Sequence, residues 1–217
     1  MTVIEPSKNA GYSATQWIAV LGGATVYDER QVEAAYVIGE RLAIRGFGLV
    51  TGATTGLPFA AALGAKAGGG LVVGVSPAAS WEEHVRDGGR PLDAHDFIVF
   101  TGLGAEGRAP LILRSVAAAV FIGGEMGTLN EFAVGWMLGI PLLGVLSGYG
   151  GIAEEFEALA RRVRSSWGSE VVVEGDPATL AETLARRVGA TVAHLVSAEE
   201  ERVRRLLANR RTHTTKD

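Results

Sequence analysis

Short apolar runs alternate along the chain with longer stretches in which apolar residues recur every three or four positions. Most of the runs end in glycine, and the longer stretches carry charged residues between their apolar positions. Uncharged runs of this length predict strands buried on both faces of a sheet, and the longer period predicts amphipathic helices. Alternation of the two predicts a parallel sheet with helices on both faces.

The predicted elements follow one another without an intervening linker. Strands are predicted at 17–21, 47–50, 71–75, 97–100, 116–122, 141–146 and 171–173. Helices are predicted at 29–45, 57–67, 152–163 and 177–188, with a helical turn at 81–86, a helix that carries Arg108 and one that begins after Thr128 and ends at Gly139. This order is typical of an α/β, Rossmann-like, doubly wound parallel sheet in a single domain.

The segment 115–131 joins a strand to a helix through a glycine-rich turn. It reads SVAAAVFIGGEMGTLNE, and we expect Thr128 to be the helix N-cap with Glu131 as its capping-box partner. The first N–H groups of such a helix can bind a phosphate or another anion. The alternative is a tight turn with no ligand. No Lys-Ser or Lys-Thr follows the glycines, so the segment is not a Walker A motif.

Glycine-bearing loops also follow the strands that end near residues 21, 50 and 100, and parallel strands bring these loops to one edge. The loop at 102–107 spells GxGxxG, but it lacks the acidic residue that a dinucleotide site places after the next strand. Arg108 can pair with a phosphate at this edge, and Glu131 can hold ribose hydroxyls or stabilise a cationic sugar. Arg114, at its helix end, is expected to serve structure.

Composition limits the class of protein. With 217 residues and 47% hydrophobic content, the chain can form one substantial core, and we expect a domain at 16–190 between a flexible segment at 1–15 and a C-terminal helix and tail at 191–217. The absence of cysteine excludes thiol catalysis and disulfides. A net charge of −4, no long apolar segment and no signal pattern predict a cytoplasmic protein without nucleic-acid or membrane partners. The polar loop at 93–96 is not expected to bind a metal.

The residues from Gly123 to Glu131 resemble the PGGxGTxxE motif of the LONELY GUY (LOG) proteins, the lysine decarboxylase-like family, and of the related molybdenum-cofactor carrier proteins. The Gly22-Gly23 turn, the segments at 52–57 and 68–77, and Arg108 agree with that family in order. Ile122 replaces the proline of the motif, and Ala109 follows Arg108 where LOG enzymes have lysine.

This resemblance implies a nucleoside 5′-monophosphate phosphoribohydrolase, with Glu131 and Arg108 as the catalytic residues. It leaves open a carrier or sensor without turnover that holds a nucleotide or a molybdopterin-type cofactor. No cofactor is required for the hydrolysis, and the resemblance implies a homodimer or a larger homo-oligomer. The residues expected to bind phosphate or nucleotide are Gly22, Gly23, Gly52, Thr55, Gly123, Gly124, Glu125, Met126, Gly127 and Thr128.

Overall fold

The computed structural model describes residues 16–87, 89–163, 167–189 and 202. Its strands are β1 (Trp17–Gly22), β2 (Gly48–Thr51), β3 (Val72–Ser76), β4 (Phe97–Phe100), β5 (Ala118–Ile122), β6 (Leu142–Leu146) and β7 (Glu170–Glu174). Its helices are α1 (Glu29–Ile44), α2 (Leu57–Ala67), α3 (Gly104–Arg114), α4 (Met126–Met137), α5 (Phe156–Arg162) and α6 at 177–189. A π-helical turn covers Glu83–Asp87, and a 3₁₀ turn covers Ile152–Glu155.

All seven strands form one parallel sheet in the order β4-β3-β2-β1-β5-β6-β7. The chain builds the sheet outward from β1 to β4 and then returns to the other side of β1 with β5. The order of the strands therefore reverses between β1 and β5, which pair directly from Ile18 with Ala118 to Gly22 with Ile122. Loops that follow strands on the two sides of such a point diverge and leave a crevice, where open α/β sheets bind ligands.

Helices cover both faces of the sheet. One apolar core lies between the sheet and α1, α2 and α6, and a second lies between the sheet and α3, α4 and α5. In the second core, the rings of Phe132 and Phe156 stack with centroids 4.1 Å apart, and Phe121 of β5 meets both rings edge-on. This packing fixes the start of α4 over the end of β5.

The structure confirms the predicted fold class and its order of elements. Two local predictions are wrong. α4 begins at Met126 rather than after Thr128, because the turn uses only Gly123 and Gly124 and Glu125 takes the N-cap position. The helix predicted at 152–163 starts as a 3₁₀ turn, because the N–H groups of Ile152 and Ala153 bond to the glycine loop instead.

The predictions for 1–15 and for the helix and tail at 191–217 lie outside the described residues, apart from Arg202, which is helical. The domain limits at 16 and 190 stay a prediction. Within the described ranges, no helix is long and apolar enough to cross a membrane.

Candidate functional site

A cleft of about 230 Å³ opens at the carboxyl edge of the sheet, beside the junction of β1 and β5. Its walls are the loop after β1, the loop after β2 with the first turn of α2, and the first turns of α3 and α4. The lining residues are 21–26, Gly52, Thr54, Pro58, Ala105, Glu106, Arg108, Glu125, Gly127, Thr128, Asn130 and Glu131. Because helix N-termini carry partial positive charge, this arrangement favours an anionic group in the cleft.

The first turn of α4 presents backbone donors to the cleft. The first bond within the helix runs from the N–H of Leu129 to the carbonyl of Glu125, 3.0 Å away. The N–H groups of Met126, Gly127 and Thr128 therefore have no acceptor within the helix. Gly127 and Thr128 line the cleft, and the side chain of Glu125 makes no capping hydrogen bond. The start of α4 can thus bind a phosphate through backbone N–H groups.

The glycine pair before α4 shapes the turn and lies behind the cleft. Gly123 and Gly124 have φ angles of +55° and +77°, a region that residues with a Cβ atom rarely adopt. A Cβ atom on Gly124 would also lie 2.1 Å from Oγ1 of Thr128. The carbonyls of both glycines accept hydrogen bonds from the N–H groups of Ile152 and Ala153. These glycines therefore permit the turn and anchor it to the segment after β6.

Arg108 brings a buried positive charge to the cleft from α3. Only 7% of the residue is exposed, and its Nη1 donates to the carbonyls of Gly52 and Val75, the latter 3.3 Å away. Its Nε is buried without a hydrogen-bond partner. Burial lowers the pKa of Arg108, and the negative charge of Glu131 acts in the opposite direction. A buried guanidinium with an unsatisfied N–H group favours an anion beside it.

Glu131 lies one turn inside α4 and lines the same cleft, where it is partly buried. Burial raises the pKa of this carboxyl to about 7, although the charge of Arg108 lowers it. In the described part of the chain, neither residue takes part in an ion pair shorter than 4.0 Å. The carboxyl is thus poised to exchange a proton near neutral pH, in a cleft that it shares with Arg108.

The structure brings together most of the residues that the sequence placed in a binding site. Gly22, Gly23, Gly52, Arg108, Glu125, Gly127, Thr128 and Glu131 line the cleft. Thr55, Gly123, Gly124 and Met126 do not. The hydroxyl of Thr55 instead donates to the carbonyl of Ala24 and braces the loop after β1. The binding and catalytic roles of all these residues stay predictions.

Sequence reasoning missed several residues of the cleft. Asn130 shares a helix face with Gly127 and Glu131, and helical spacing from those two residues could have identified it. Glu106 lies two positions before Arg108, within the GxGxxG segment. Thr25, Thr54 and Ala105 come together only in the folded chain and have no comparable signal. Among the described lining residues, three carboxylates face a single side-chain cation, Arg108.

The sheet is parallel, and the cleft lies where the strand order reverses, beside helix N-termini that favour an anion. This is the architecture of the Rossmann-like nucleotide-binding class. The model of the SLOG cluster4 family matches residues 15–176, and the chain belongs to this family. The predicted resemblance to LOG-like and carrier-like proteins is thereby confirmed at the level of the family.

The chain is similar to an uncharacterized protein of Archaeoglobus fulgidus, with 35% identity over 112 residues that make up 52% of this chain and 68% of that one. It is also similar in structure to the molybdenum cofactor carrier protein of Chlamydomonas reinhardtii, with a TM-score of 0.63 and 28% identity over 81% of this chain and 99% of that one. The molybdenum cofactor binding protein of Rippkaea orientalis has a TM-score of 0.66 and 24% identity, covering 80% of this chain and 97% of that one.

Proposed function

We propose that the cleft binds a phosphate-bearing small molecule of the nucleotide type, with its phosphate between the first turn of α4 and Arg108. The observation that carries this proposal is the pairing of unsatisfied donors: the free N–H groups of Gly127 and Thr128 and the buried, unbonded Nε of Arg108 belong to one cleft. A phosphate has enough oxygen acceptors to satisfy both sides.

The size of the cleft limits which part of the ligand it encloses. Pockets that surround a whole drug-sized ligand measure roughly 300–1,000 Å³. At about 230 Å³, this cleft encloses the phosphate and the sugar, and the remaining ring system lies at the mouth. The carboxylates of Glu106 and Glu125 repel further phosphates. A monophosphate therefore fits the charges of the cleft better than a triphosphate does.

Glu131 is the residue that would make the protein an enzyme. With a pKa of about 7, its carboxylate can take a proton from water or stabilise positive charge on a ribose ring. Water then adds its hydroxyl to C1′, the bond from C1′ to the base nitrogen breaks, and the base leaves with a proton. The proposed reaction is hydrolysis of a nucleoside 5′-monophosphate to free base and ribose 5-phosphate, with Arg108 holding the phosphate or ribose.

Incubation with AMP, GMP, CMP and UMP tests the reaction through chromatographic detection of free base and ribose 5-phosphate. Release of base from at least one nucleotide is expected, with a loss of about 100-fold or more in Glu131→Gln and unchanged release in the control Glu33→Gln. Glu33 is an exposed carboxylate on α1, outside the cleft. Release that survives in Glu131→Gln contradicts the catalytic role.

A carrier of a molybdopterin-type cofactor is the second candidate. It is supported by the likeness to the Chlamydomonas carrier protein over nearly its whole length and by a mouth that leaves a ring system outside the cleft. Wild-type protein mixed with molybdenum cofactor and passed through a sizing column should retain the pterin, detected by fluorescence after oxidation. Elution of the pterin with the protein, together with no release of base in the nucleotide assay, favours the carrier. Elution of the pterin after the protein contradicts it.

The homodimer or larger assembly that the family resemblance implies is also a proposal. Large apolar side chains on α3 and α4 are exposed, among them Leu111, Met126 and Met137. Burial of such side chains stabilises association of copies. Analytical ultracentrifugation should give the mass of a dimer or more, and a monomer mass at micromolar concentration contradicts the proposal.

A further inference from the structure

The two carbonyls that hold Arg108 lie at the ends of adjacent strands, each next to a buried hydroxyl. Gly52 follows Thr51 of β2, and Val75 precedes Ser76 of β3. Both hydroxyl-bearing residues are fully buried. Each hydroxyl oxygen accepts the N–H of the residue two positions further on, at 3.1 Å in both cases. The same local turn thus occurs twice behind one guanidinium.

Each of these hydroxyls is bonded to a histidine. Oγ1 of Thr51 lies 2.9 Å from Nε2 of His95, and Oγ of Ser76 lies 2.8 Å from Nδ1 of His84. The second ring nitrogen of each histidine lies near a backbone carbonyl, at 3.0 Å from Asp93 for His95 and at 3.3 Å from Pro91 for His84. Both histidines therefore tie a strand end to the segment at 91–95.

The hydrogen-bond partners assign the protons. A hydroxyl that accepts an N–H on its oxygen can still donate its own proton, so Thr51 and Ser76 donate to the imidazoles. The other ring nitrogens then carry protons and donate to the carbonyls, which gives opposite tautomers: Nε2–H for His84 and Nδ1–H for His95. Only the neutral ring can accept the hydroxyl proton. A charged imidazole could only donate to the hydroxyl oxygen, which reverses that bond and leaves the hydroxyl proton without this acceptor.

The surrounding charges favour the neutral rings. Burial lowers the pKa of His84, and the positive charges of Arg90 and Arg108 lower it further, against a backbone bond that raises it. Burial also lowers the pKa of His95, where His84 acts in the same direction and the nearby Asp96 carboxylate acts in the opposite one. Asp96 is itself paired with Lys66 at 2.7 Å. The rings of His84 and Phe100 form a T-shaped pair with centroids 5.6 Å apart.

We propose that His84 and His95 are positioning residues, which act through Ser76 and Thr51 to fix the carbonyls that hold the guanidinium of Arg108. The inference rests on the proposed function only for the statement that Arg108 binds the phosphate. The position of Arg108 itself can be measured without any ligand.

The decisive readout is hydrogen exchange at Nε of Arg108, followed by NMR in the full-length chain labelled with ¹⁵N-arginine. The resonance is assigned by its absence in Arg108→Lys, and protection is expressed relative to free arginine at the same pH. Ser76→Ala and Thr51→Val should each lower the protection at least about fivefold, as expected for loss of one buried hydrogen bond. Ser169→Ala, which removes another buried hydroxyl far along the chain, should leave it unchanged. Equal protection in all of these variants overturns the proposal.

Amide substitutions separate positioning from simple packing. The oxygen of asparagine can replace Nδ1 as acceptor, and the oxygen of glutamine can replace Nε2. His84→Asn and His95→Gln should therefore keep the protection of Arg108, whereas the exchanged pair His84→Gln and His95→Asn should lose it. Similar protection in the matched and exchanged amides overturns the proposal. If the histidine variants do not fold, Thr51→Ser and Thr51→Val are compared in a chain that keeps both histidines. Thr51→Ser retains the hydroxyl and should keep the protection of Arg108, whereas Thr51→Val should lower it; equal protection overturns the proposal.

The pH dependence supplies a third outcome. The folded protein lowers the pKa values of both histidines, so both rings are neutral at and above the ordinary histidine pKa. The bonds from the two hydroxyls to the imidazoles are lost only when the pH falls through the lowered pKa values. Protection should decline on acidification in the wild type and stay flat in the double variant His84→Asn/His95→Gln. A decline in both contradicts the proposal. If the wild type fails to bind AMP while protection behaves as described, the positioning role stands and the proposed function fails.

Discussion

The guanidinium of Arg108 lies directly over the α-carbon of Gly52. A Cβ atom at residue 52 would come within 2.6–2.8 Å of three guanidinium atoms. The carbonyl of Gly52 also accepts a hydrogen bond from Nη1 of this arginine. The glycine after β2 is therefore required by the position of a side chain that is more than fifty residues away in the sequence.

Gly52→Ala should displace Arg108 and weaken binding of AMP about tenfold or more, because a side chain that has moved no longer meets the phosphate. Calorimetric titration of AMP gives the affinity. Gly189→Ala is the matched control, since a Cβ atom there meets nothing within 4 Å. Equal affinity in the two variants would show that the position of Arg108 is irrelevant to binding.

Gly127→Ala should separate stability from function. Residue 127 is in the first turn of α4, and a Cβ atom there meets nothing within 4 Å beyond its chain neighbours and the backbone of its own helix. Alanine in place of glycine in a helix stabilises by up to about 1 kcal/mol. The same methyl group would occupy the space where the phosphate meets the helix. Urea unfolding should therefore show equal or higher stability, while titration shows weaker AMP binding; unchanged affinity would place the phosphate elsewhere.

Gly124→Ala should damage the fold instead of the cleft. Its φ of +77° disfavours alanine, and its Cβ atom would collide with Thr128. Gly148 has a similar φ of +81° but open space around the Cβ position, so Gly148→Ala measures the backbone penalty alone. We expect Gly124→Ala to lower the free energy of unfolding by about 2 kcal/mol more than Gly148→Ala does. Equal losses would mean that the turn relaxes and Thr128 moves away.

Glu131→Gln should change how stability depends on pH. The folded protein raises the pKa of this carboxyl from 4.5 to about 7, so the folded state binds the proton more tightly than the unfolded state does. The free-energy cost of burying the charged carboxylate is absent below pH 4.5 and grows as the pH rises to 7. The variant should match the wild type near pH 4 and exceed its stability above pH 7 by up to ~3 kcal/mol, a figure that already includes the attraction between Glu131 and Arg108.

Thermal or urea unfolding across this range measures the effect. A constant difference between Glu131→Gln and the wild type at all pH values would mean that Glu131 is ionised normally and that its pKa is not raised by burial.

Much of the fold follows from local sequence. The apolar runs around β5 and β6 predict buried strands because nothing polar interrupts them. Asp176 has a side chain suited to an N-cap, and its Oδ1 accepts a hydrogen bond from the N–H of Thr179 in α6, 2.7 Å away. Two signals competed at the start of α4. Thr128 has the better capping side chain, but the positive φ values of Gly123 and Gly124 complete the turn earlier and leave Glu125 as N-cap. Local propensity could not resolve that competition.

The site was predictable only in part. Arg108 and Glu131 were expected at one edge because both follow parallel strands, and the structure places both in the cleft. The contacts of Thr51 with His95 and of Ser76 with His84 could not be anticipated, because they join strand ends to an irregular segment and to a short π-helical turn whose positions depend on the whole fold. Glu106 was hidden in a GxGxxG motif that the structure uses as the first turn of a helix.

Titration of AMP into the wild type, Gly127→Ala and Arg108→Met tests most directly whether the cleft binds phosphate between α4 and Arg108. The expected result is binding by the wild type, with an affinity at least about tenfold weaker in each variant, since each substitution removes one side of the proposed phosphate site. No binding by the wild type, or the same affinity in all three proteins, would contradict the account.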